Sequence, residues 1–476
     1  MFRPPSLCLV LLLAGCAVGP DWLRPEPASP AGYTREPTPE RLAPAAGEPE
    51  QQLALARDIS ARWYQAFGSA DLDAVIERAL QDSPDLAAAR ATLAQAHESV
   101  TAARGAFYPQ VDANAGVSRT GTPGLGTGVL PVTGRTFSLY SVGATASYAV
   151  DVFGGIRRSV EEQQSLAELQ YYELAAAWLS ITGSAVSDAV SIASLRAQIE
   201  ASQDVIEDDR NNLSLVERKY QAGKAARSDV LVAQTQLEGD LALLPALRQQ
   251  LAIAEHALSV LAGQLPGTWS PPEFALAGFA VPGELPLSVP SELARQRPDI
   301  LAAESQLHAA SAAIGVATAN LYPSLVLSAD ITREAVISGG AGTAWSIAAQ
   351  LAQPLFHGGT LRAERRGAVD AYQATLARYQ QTVLGGFEQI ADTLRALGHD
   401  ADLVGAQAEL LDTASESLRL QRISYDAGKS DLLLLLSAQR AYQQARLDLA
   451  RAQGQRLQDT AELFVALGGG WWNAGL

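Results

Sequence analysis

The chain contains one unit written twice. Pro84-Asp85-Leu86 opens the first copy and Pro298-Asp299-Ile300 the second, 214 positions on. Ala88, Ala89, Leu93, Ala96, Ala103, Tyr108 and Pro109 recur as Ala302, Ala303, Leu307, Ala310, Ala317, Tyr322 and Pro323. Further along the offset becomes 205, with Tyr220, Ala222, Gly223, Lys224, Leu231, Ala233, Gln234 and Gly263 recurring as Tyr425, Ala427, Gly428, Lys429, Leu436, Ala438, Gln439 and Gly468. The second copy therefore lacks about nine residues, between the two matches, where the first has the glycine-rich segment 121–135. A unit of this length is no short solenoid repeat, so the fold must consist of two similar and substantial halves.

Each copy reads in the same order. In the first, Leu72, Val75, Ile76, Ala79 and Leu80 keep helical spacing. Ser83-Pro84-Asp85 restarts the helix, with Ser83 as N-cap and Pro84 at the first helical position. That helix is predicted to reach Phe107 and stop at Tyr108-Pro109. Two strands follow. Over 111–119, Val111, Ala113, Ala115, Val117 and Arg119 alternate with Asp112, Asn114, Gly116 and Ser118, the period of a strand with one apolar face. In the second copy Leu325, Leu327, Ala329 and Ile331 alternate with Val326, Ser328, Asp330 and Thr332. Return strands are predicted at 136–150 and 344–353, the latter setting Trp345, Ile347, Ala349 and Leu351 against Ser346, Ala348 and Gln350. In 136–150 the phase slips near Leu139-Tyr140, which predicts a bulge. Long helices come next. From about 156 to 221 there is no proline, enough for a helix of about 100 Å. It turns at Gly223 and returns from Ser228 to Leu261, with a kink predicted at Pro245. The second copy repeats this from about 360 to 426, turning at Gly428 and returning to Leu467. Helix pairs this long and rich in Ala, Gln and Leu read as antiparallel coiled-coil hairpins.

The N-terminus has the basic Arg3, an apolar run from Leu7 to Ala14, and Leu13-Ala14-Gly15-Cys16. This is the pattern of a secretory signal, and the run is too short to span a bilayer as a helix. The last four residues resemble a bacterial lipoprotein signal, in which Cys16 becomes the lipidated first residue. The alternative is an ordinary signal with a chance cysteine. Ala17 rather than Asp follows, which is similar to lipoproteins sorted to the outer membrane. Residues 20–50, rich in Pro, Ala and Glu, read as an extended, poorly packed strap. No other stretch reaches about 18 consecutive apolar residues, so a membrane crossing would have to use strands. Four strands cannot close a barrel, which takes at least about eight. An open sheet in lipid leaves unpaired edge groups costing several kcal/mol each. The membrane reading thus requires an oligomer; the alternative is a soluble pair of β-hairpins on a helical protein.

Composition removes several classes of function. With 48% hydrophobic and 18% charged residues the chain is not disordered. It carries 51 acidic and 35 basic residues, a net charge of −16, the wrong balance for nucleic acid. Two cysteines rule out a disulfide framework and a cysteine-based zinc site. His97, His256, His308, His357 and His399 are scattered without metal-ligand spacing and read mostly as surface residues. No metal, cofactor or enzymatic chemistry is expected. The stretch from Gly121 to Gly128 lacks the Lys-Ser/Thr of a phosphate loop and reads as an extracellular loop between strands.

Seven short motifs stand in order on this duplicated frame. They are Cys16-Ala17-Val18-Gly19-Pro20-Asp21-Trp22, Arg297-Pro298-Asp299-Ile300, Tyr322-Pro323-Ser324-Leu325 and Pro354-Leu355-Phe356-His357-Gly358-Gly359, followed by Tyr425-Asp426-Ala427-Gly428-Lys429, Ala438-Gln439-Arg440 and Ala466-Leu467-Gly468-Gly469-Gly470-Trp471. Together they resemble an outer-membrane factor of the TolC/OprM/NodT type, the exit duct of tripartite efflux and secretion systems, over nearly the whole mature chain. The resemblance implies a mainly α fold with a transmembrane β-barrel portion. It implies a homotrimer in which three sets of four strands form a 12-stranded barrel and the helical hairpins form a periplasmic tunnel. The implied partners are a periplasmic adaptor (a membrane-fusion protein), an inner-membrane pump of the resistance-nodulation-division (RND) type, and outer-membrane lipid. The implied role is passage of small-molecule drugs or toxic compounds. The lipoprotein start and the Gly-Gly-Gly-Trp end are similar to that branch; type I protein secretion is an alternative. A lipid-anchored periplasmic adaptor or scaffold is another, but an adaptor would need one hairpin and a β-rich clamp domain. The implied organisation is a signal peptide (1–15), an anchored strap (16–56), repeat one (57–263, β-hairpin about 111–150), a linker (264–289), repeat two (290–468, β-hairpin about 325–354) and a tail (469–476).

The resemblance also marks sites. Adaptor hairpins would dock at the tips Ala222-Gly223-Lys224 and Ala427-Gly428-Lys429, which hold two of the three lysines. The alternative is ordinary solvated helix ends, where the helix dipole favours Lys. The periplasmic aperture would lie just past the tips. Asp229 matches the family's first-repeat carboxylate, but nine and twelve residues after Tyr425, where relatives often carry carboxylates, stand Leu434 and Ser437. A carboxylate ring would favour cations. The run Leu432 to Leu436, with Leu433 and Leu434, predicts an apolar constriction instead, or else interhelical core. Asp431 is the one acid nearby, just outside that constriction. Asp229, Tyr425 and Lys429 are candidates for links that hold the end shut, although the family's basic residue falls one position later, at Ser430 here.

Overall fold

The computed structural model describes residues 17–26, 32–35, 41–42, 50–55, 57–122, 135–336 and 339–475. Cys16, the signal segment and glycine-rich residues 123–128 lie outside them. In the first copy a short strand β1 (Gln52–Leu55) precedes helices α1 (Ala70–Asp82) and α2 (Pro84–Gly105), strands β2 (Gln110–Thr122) and β3 (Arg135–Val150), and helices α3 (Gly155–Gln221) and α4 (Arg227–Leu261). The second copy follows as β4 (Glu284–Leu287), α5 (Pro290–Gln296), α6 (Pro298–Ala319), β5 (Ser324–Val336), β6 (Gly340–Ala352), α7 (Thr360–Asp426) and α8 (Leu432–Ala466). The duplication is kept to the residue in the long helices, 67 residues in α3 and α7 and 35 in α4 and α8. At about 1.5 Å per residue each long arm measures about 100 Å. Ser83 ends α1 and its hydroxyl accepts from the Leu86 N–H at 3.4 Å, restarting the helix as α2. Helix α4 runs through Pro245 as one element.

The chain divides into two compact units. The first holds the described part of Met1–Pro25 with Thr92–Tyr171 and Ala302–Gln380. Its centre is an antiparallel four-stranded sheet in the order β2-β3-β5-β6. Cross-strand partners put Val111, Ala113, Ala115 and Val117 on the face that carries Tyr140, Val142, Ala144, Ala146, Tyr148 and Val150. The same face continues through Leu325, Leu327, Ala329 and Ile331 to Trp345, Ile347, Ala349 and Leu351. The opposite face carries Asp112, Asn114, Ser118, Thr145, Ser147, Ser328, Asp330 and Gln350. The bulge predicted near Leu139-Tyr140 is absent, since the register from Gln110↔Ser147 to Thr122↔Arg135 is unbroken. Phe137 and Leu139 lie on the face opposite Tyr140 and Val142, so the apolar side changes while the pairing does not. Strands β2 and β6 each pair along one edge only among the described residues. Trp345, Ile347 and Leu351 on β6 are 72%, 78% and 70% exposed.

The strap is better packed than its composition suggests. Val18 N–H donates to the Phe153 carbonyl at 3.0 Å. Arg158, with its side chain only 6% exposed, donates to the Val18 carbonyl, to Asp21 at 2.8 Å and to Glu161 at 2.8 Å. His308 bonds Glu161 at 2.9 Å and stacks on Trp22, ring centres 4.6 Å apart. Burial opposes the charge on Glu161, but the bonds from His308 and Arg158 outweigh it and hold its carboxyl below the usual range. Gly19 fits because its neighbour is also glycine: a Cβ there would stand 2.5 Å from the Gly315 Cα. His308 is thus built into the first unit, while the other four histidines are exposed.

The second unit holds Glu26–Ala91, Tyr172–Leu301 and Gln381–Leu476. Its largest core joins Trp63, Tyr64, Phe67, Leu72 and Ile76 to Leu258, Leu293, Ile390, Leu397 and Phe464, with Trp63 stacked on Phe464 at 5.2 Å. Strand β1 pairs in parallel with β4, so the end of the strap and the inter-repeat segment meet there. Arg297 of the Arg-Pro-Asp motif is 9% exposed and bonds Asp299, Gln389 and the carbonyl of Ala466, tying α6 to α7 and α8. Trp471 donates its indole N–H to the Gln296 carbonyl at 2.7 Å. These two motifs are therefore packing devices.

Candidate functional site

The two hairpin tips are built alike. Each long helix ends in a glycine of positive φ, Gly223 at 69° and Gly428 at 67°, which a side chain would strain. In the first tip the amides of Ala222, Gly223 and Lys224 bond the carbonyls of Arg218, Tyr220 and Lys219. In the second, Ala427, Gly428 and Lys429 bond Ile423, Tyr425 and Ser424 in the same pattern. All six tip residues are exposed, within continuous exposed stretches from Gln221 to Lys224 and from Asp426 to Lys429.

The return helices start on carboxylates. Asp229 accepts from the Ala226 N–H at 2.9 Å and from the Ser228 hydroxyl at 3.4 Å. Asp431 is the N-cap of α8 and accepts from the Leu434 N–H at 2.9 Å. Both acids thereby satisfy free amides at a positive helix end.

The leucine run divides between the two roles that the sequence left open. Leu432, Leu435 and Leu436 pack with Val216, Val230, Leu418 and Tyr425 in an interhelical core. Leu433 and Leu434 point away from it, 63% and 52% exposed, on the same side as exposed Ser437. A surface of two leucines and a serine has no fixed charge with which to select ions.

Tyr425 is 9% exposed, and its basic partner is Lys219, whose ammonium lies 3.8 Å from the ring centre. Sequence reasoning had looked to Lys429; that residue is exposed, and Ser430 bonds Gln421 at 3.0 Å. Further links join the hairpins near this end. Arg422 meets Asp208 at 3.3 Å, Arg446 meets Asp204 at 2.9 Å, and Asn212 donates to Gln439 at 2.7 Å. Arg440 donates to Gln236.

Buried acids were also missed by the sequence reading. Asp209 is 1% exposed and Asp240 5%. Burial, then hydrogen bonding to Asp240 and the charges of Asp240 and Asp208, push the Asp209 carboxyl up to about 8, with Arg440 opposing. Asp400 is pushed up to about 7 by burial and by its contact with Asp459, against Arg456. The signal was available in the duplication, because the other copy has apolar residues at each of these positions. Among the described residues no group of three or more His, Cys, Asp or Glu could hold a metal, and no helix is long and apolar enough to cross a membrane.

Comparison with known proteins agrees with this architecture. Residues 75–264 and 289–469 match the family described as outer membrane efflux protein. The pyoverdine export outer membrane protein OpmQ of Pseudomonas aeruginosa is 32% identical, over 86% of this chain and 87% of its own. The toluene efflux pump outer membrane protein TtgI of Pseudomonas putida is 29% identical, over 99% and 98%. Among solved structures, the outer-membrane channel OprN superposes with a TM-score of 0.84 at 27% identity, covering 96% of this chain and all of that one. The open state of the Neisseria gonorrhoeae MtrE outer membrane channel gives 0.76 at 26% identity, covering 96% and 99%. A duplicated helix–hairpin–helix frame, one apolar sheet face and matches over both repeats make this chain a member of the outer membrane efflux protein family.

Proposed function

We propose that this efflux protein is a homotrimeric exit duct of a tripartite system. One observation carries the reading: across all four strands the sheet has an apolar face, running through 111–117, 140–150, 325–331 and 345–351, a mainly polar opposite face, and two edges unpaired among the described residues. In lipid each unpaired edge group would cost several kcal/mol. Three copies joined β6 to β2 remove every edge and make a barrel of 12 strands, within the known range and wide enough for a polar lumen. Trp345, Ile347 and Leu351 then face lipid, while Asp112, Asn114, Ser328 and Gln350 line the passage. Cys16 is the lipid anchor. The tips at Ala222-Gly223-Lys224 and Ala427-Gly428-Lys429 receive a periplasmic adaptor, and an inner-membrane RND-type pump supplies the cargo. Leu433, Leu434 and Ser437 form the aperture beside Asp229, Tyr425 and Asp431. The names of relatives, which cite pyoverdine, solvent and toluene, support small molecules as cargo. The duct needs no chemistry of its own.

Light scattering on the detergent-purified protein tests this, beside gel mobility before and after boiling. Three chains per particle, separating only on heating, is the expected result. A monomer with or without detergent would mean that these strands do not form a shared membrane wall.

A further inference from the structure

Each helical hairpin carries one acid–acid contact, with Asp459 of the second half-exposed and the other three acids buried, and the two contacts are not copies of each other. In the first hairpin Asp209 of α3 faces Asp240 of α4. Offset by 205, the same positions of the second hairpin hold Ala414 and Ala445, 6% and 1% exposed. In the second hairpin Asp400 of α7 faces Asp459 of α8. The same positions of the first hold Leu195 and Ala254, each 8% exposed. Apolar residues thus suffice to pack every one of these sites, and the acids are an addition that packing does not require.

Their surroundings say which form they take. Asp240 accepts from Gln236 at 2.7 Å and from Gln443 at 3.1 Å. Neither carboxylate oxygen of Asp209 has a donor, and Asp400 Oδ2 has none. Two ionised carboxylates can only accept, so they cannot bond each other; one proton between them makes the bond and removes a buried charge. The charged groups around the first pair are Asp208 on α3, itself paired with Arg422 of α7, and Arg440 on α8, which is held by Gln236. Around the second they are Arg456 on α8, which bonds Gln51, while Gln455 holds Asp459. In neither case does a cation bond the bare oxygens.

We infer that Asp209–Asp240 and Asp400–Asp459 are proton clasps, each holding its two helices together through one shared proton and letting them part when that proton leaves. Loss of the proton leaves two like charges in contact, with no donor on either oxygen of Asp209 or on Asp400 Oδ2, so the helices must separate enough to admit water. Asp209 lies about 21 Å along the helix from the tip glycine, so loosening there reaches the tip of the first hairpin. Whether this alters flow rests on the duct reading; the clasps themselves do not.

The test uses the full-length protein in detergent. Amide hydrogen exchange is measured at pH 6 and pH 9, corrected for the intrinsic pH dependence of exchange. Protection of 202–216 and 233–247 should fall at least tenfold at pH 9 in the wild type. It should stay flat in D209A/D240A, which installs the residues that the other copy already uses, and in D209N, which keeps the shape without the titration. A flat wild type, or an equal fall in both variants, overturns the clasp. The infrared carbonyl stretch of a protonated carboxyl should be present at pH 7 and weaken in D209A/D240A; its absence from the wild type also overturns it. Bilayer conductance separates the two readings. Loosening by exchange with no channel at any pH would support the clasp and count against the duct.

Discussion

The ammonium of Lys219 lies 3.8 Å from the ring centre of Tyr425, so the last turn of α3 is fastened to the last turn of α7. A cation over an aromatic face contributes about 0.5–1 kcal/mol when exposed and about 2 when desolvated. Tyr425 is buried and Lys219 half-exposed, which sets the expectation near 1 kcal/mol. A double-mutant cycle of Lys219→Met and Tyr425→Leu, read from the opening free energy of tip amides by hydrogen exchange, should give that coupling. The same cycle with Lys429→Met should give almost none. Coupling of Tyr425 to Lys429 instead would restore the link that the sequence suggested.

The aperture prediction concerns charge. Leu433, Leu434 and Ser437 are exposed together, while Asp431 spends its carboxylate on the start of α8. Planar-bilayer recordings should show weak cation preference, and Leu434→Asp should raise it by adding a ring of carboxylates. Asp431→Asn should leave selectivity unchanged, because Asn caps a helix about as well as Asp; Asp431→Ala should cost about 1 kcal/mol of local stability. Strong cation preference abolished by Asp431→Asn would replace the apolar gate with a displaced acidic ring.

Much of the fold was legible because its signals are local. The period of two in 111–119 and 325–332, the turn glycines 223 and 428, and the Ser83 cap each depend on neighbours in sequence. What failed depended on distant partners. The apparent slip at Leu139-Tyr140 is a change of apolar face that only the registry with β2 and β5 resolves. The strap looked loose because nothing in residues 20–50 announces that Arg158 and His308 will hold Asp21 and Trp22. At the tips the duplication located the turns, but Lys219 and Tyr425 lie on different helices with no spacing to connect them. The buried acids were visible as Asp set against Ala or Leu between copies, yet their burial required the packed hairpins.

Asp188 on α3 offers a simpler titration. Burial pushes its carboxyl up to about 6. The folded protein therefore binds more protons than the unfolded chain between about pH 4 and pH 6, and stability must fall as pH rises through that window. Two pKa units correspond to at most about 3 kcal/mol. Asp188→Asn should be more stable than the wild type at pH 7 and no better at pH 4, by denaturant unfolding at both values. Coincident slopes would assign the titration elsewhere.

The strap gives the last prediction. Arg158 holds the Val18 carbonyl, Asp21 and Glu161 at once. Asp21 is 93% exposed and regains water when released, and Glu161 keeps His308. Arg158→Met should therefore weaken docking by only about 1–2 kcal/mol, the worth of hydrogen bonds to charged groups after that relief. This corresponds to roughly tenfold faster chymotrypsin cleavage after Trp22 in the intact protein, read from fragment appearance with time. Gly19→Ala should do more, because its Cβ would meet the Gly315 backbone at 2.5 Å and its φ is 100°. Backbone cannot rotate aside as a flexible side chain can, so the strap itself must lift. Equal cleavage of wild type and both variants would mean that these contacts do not hold the strap in solution.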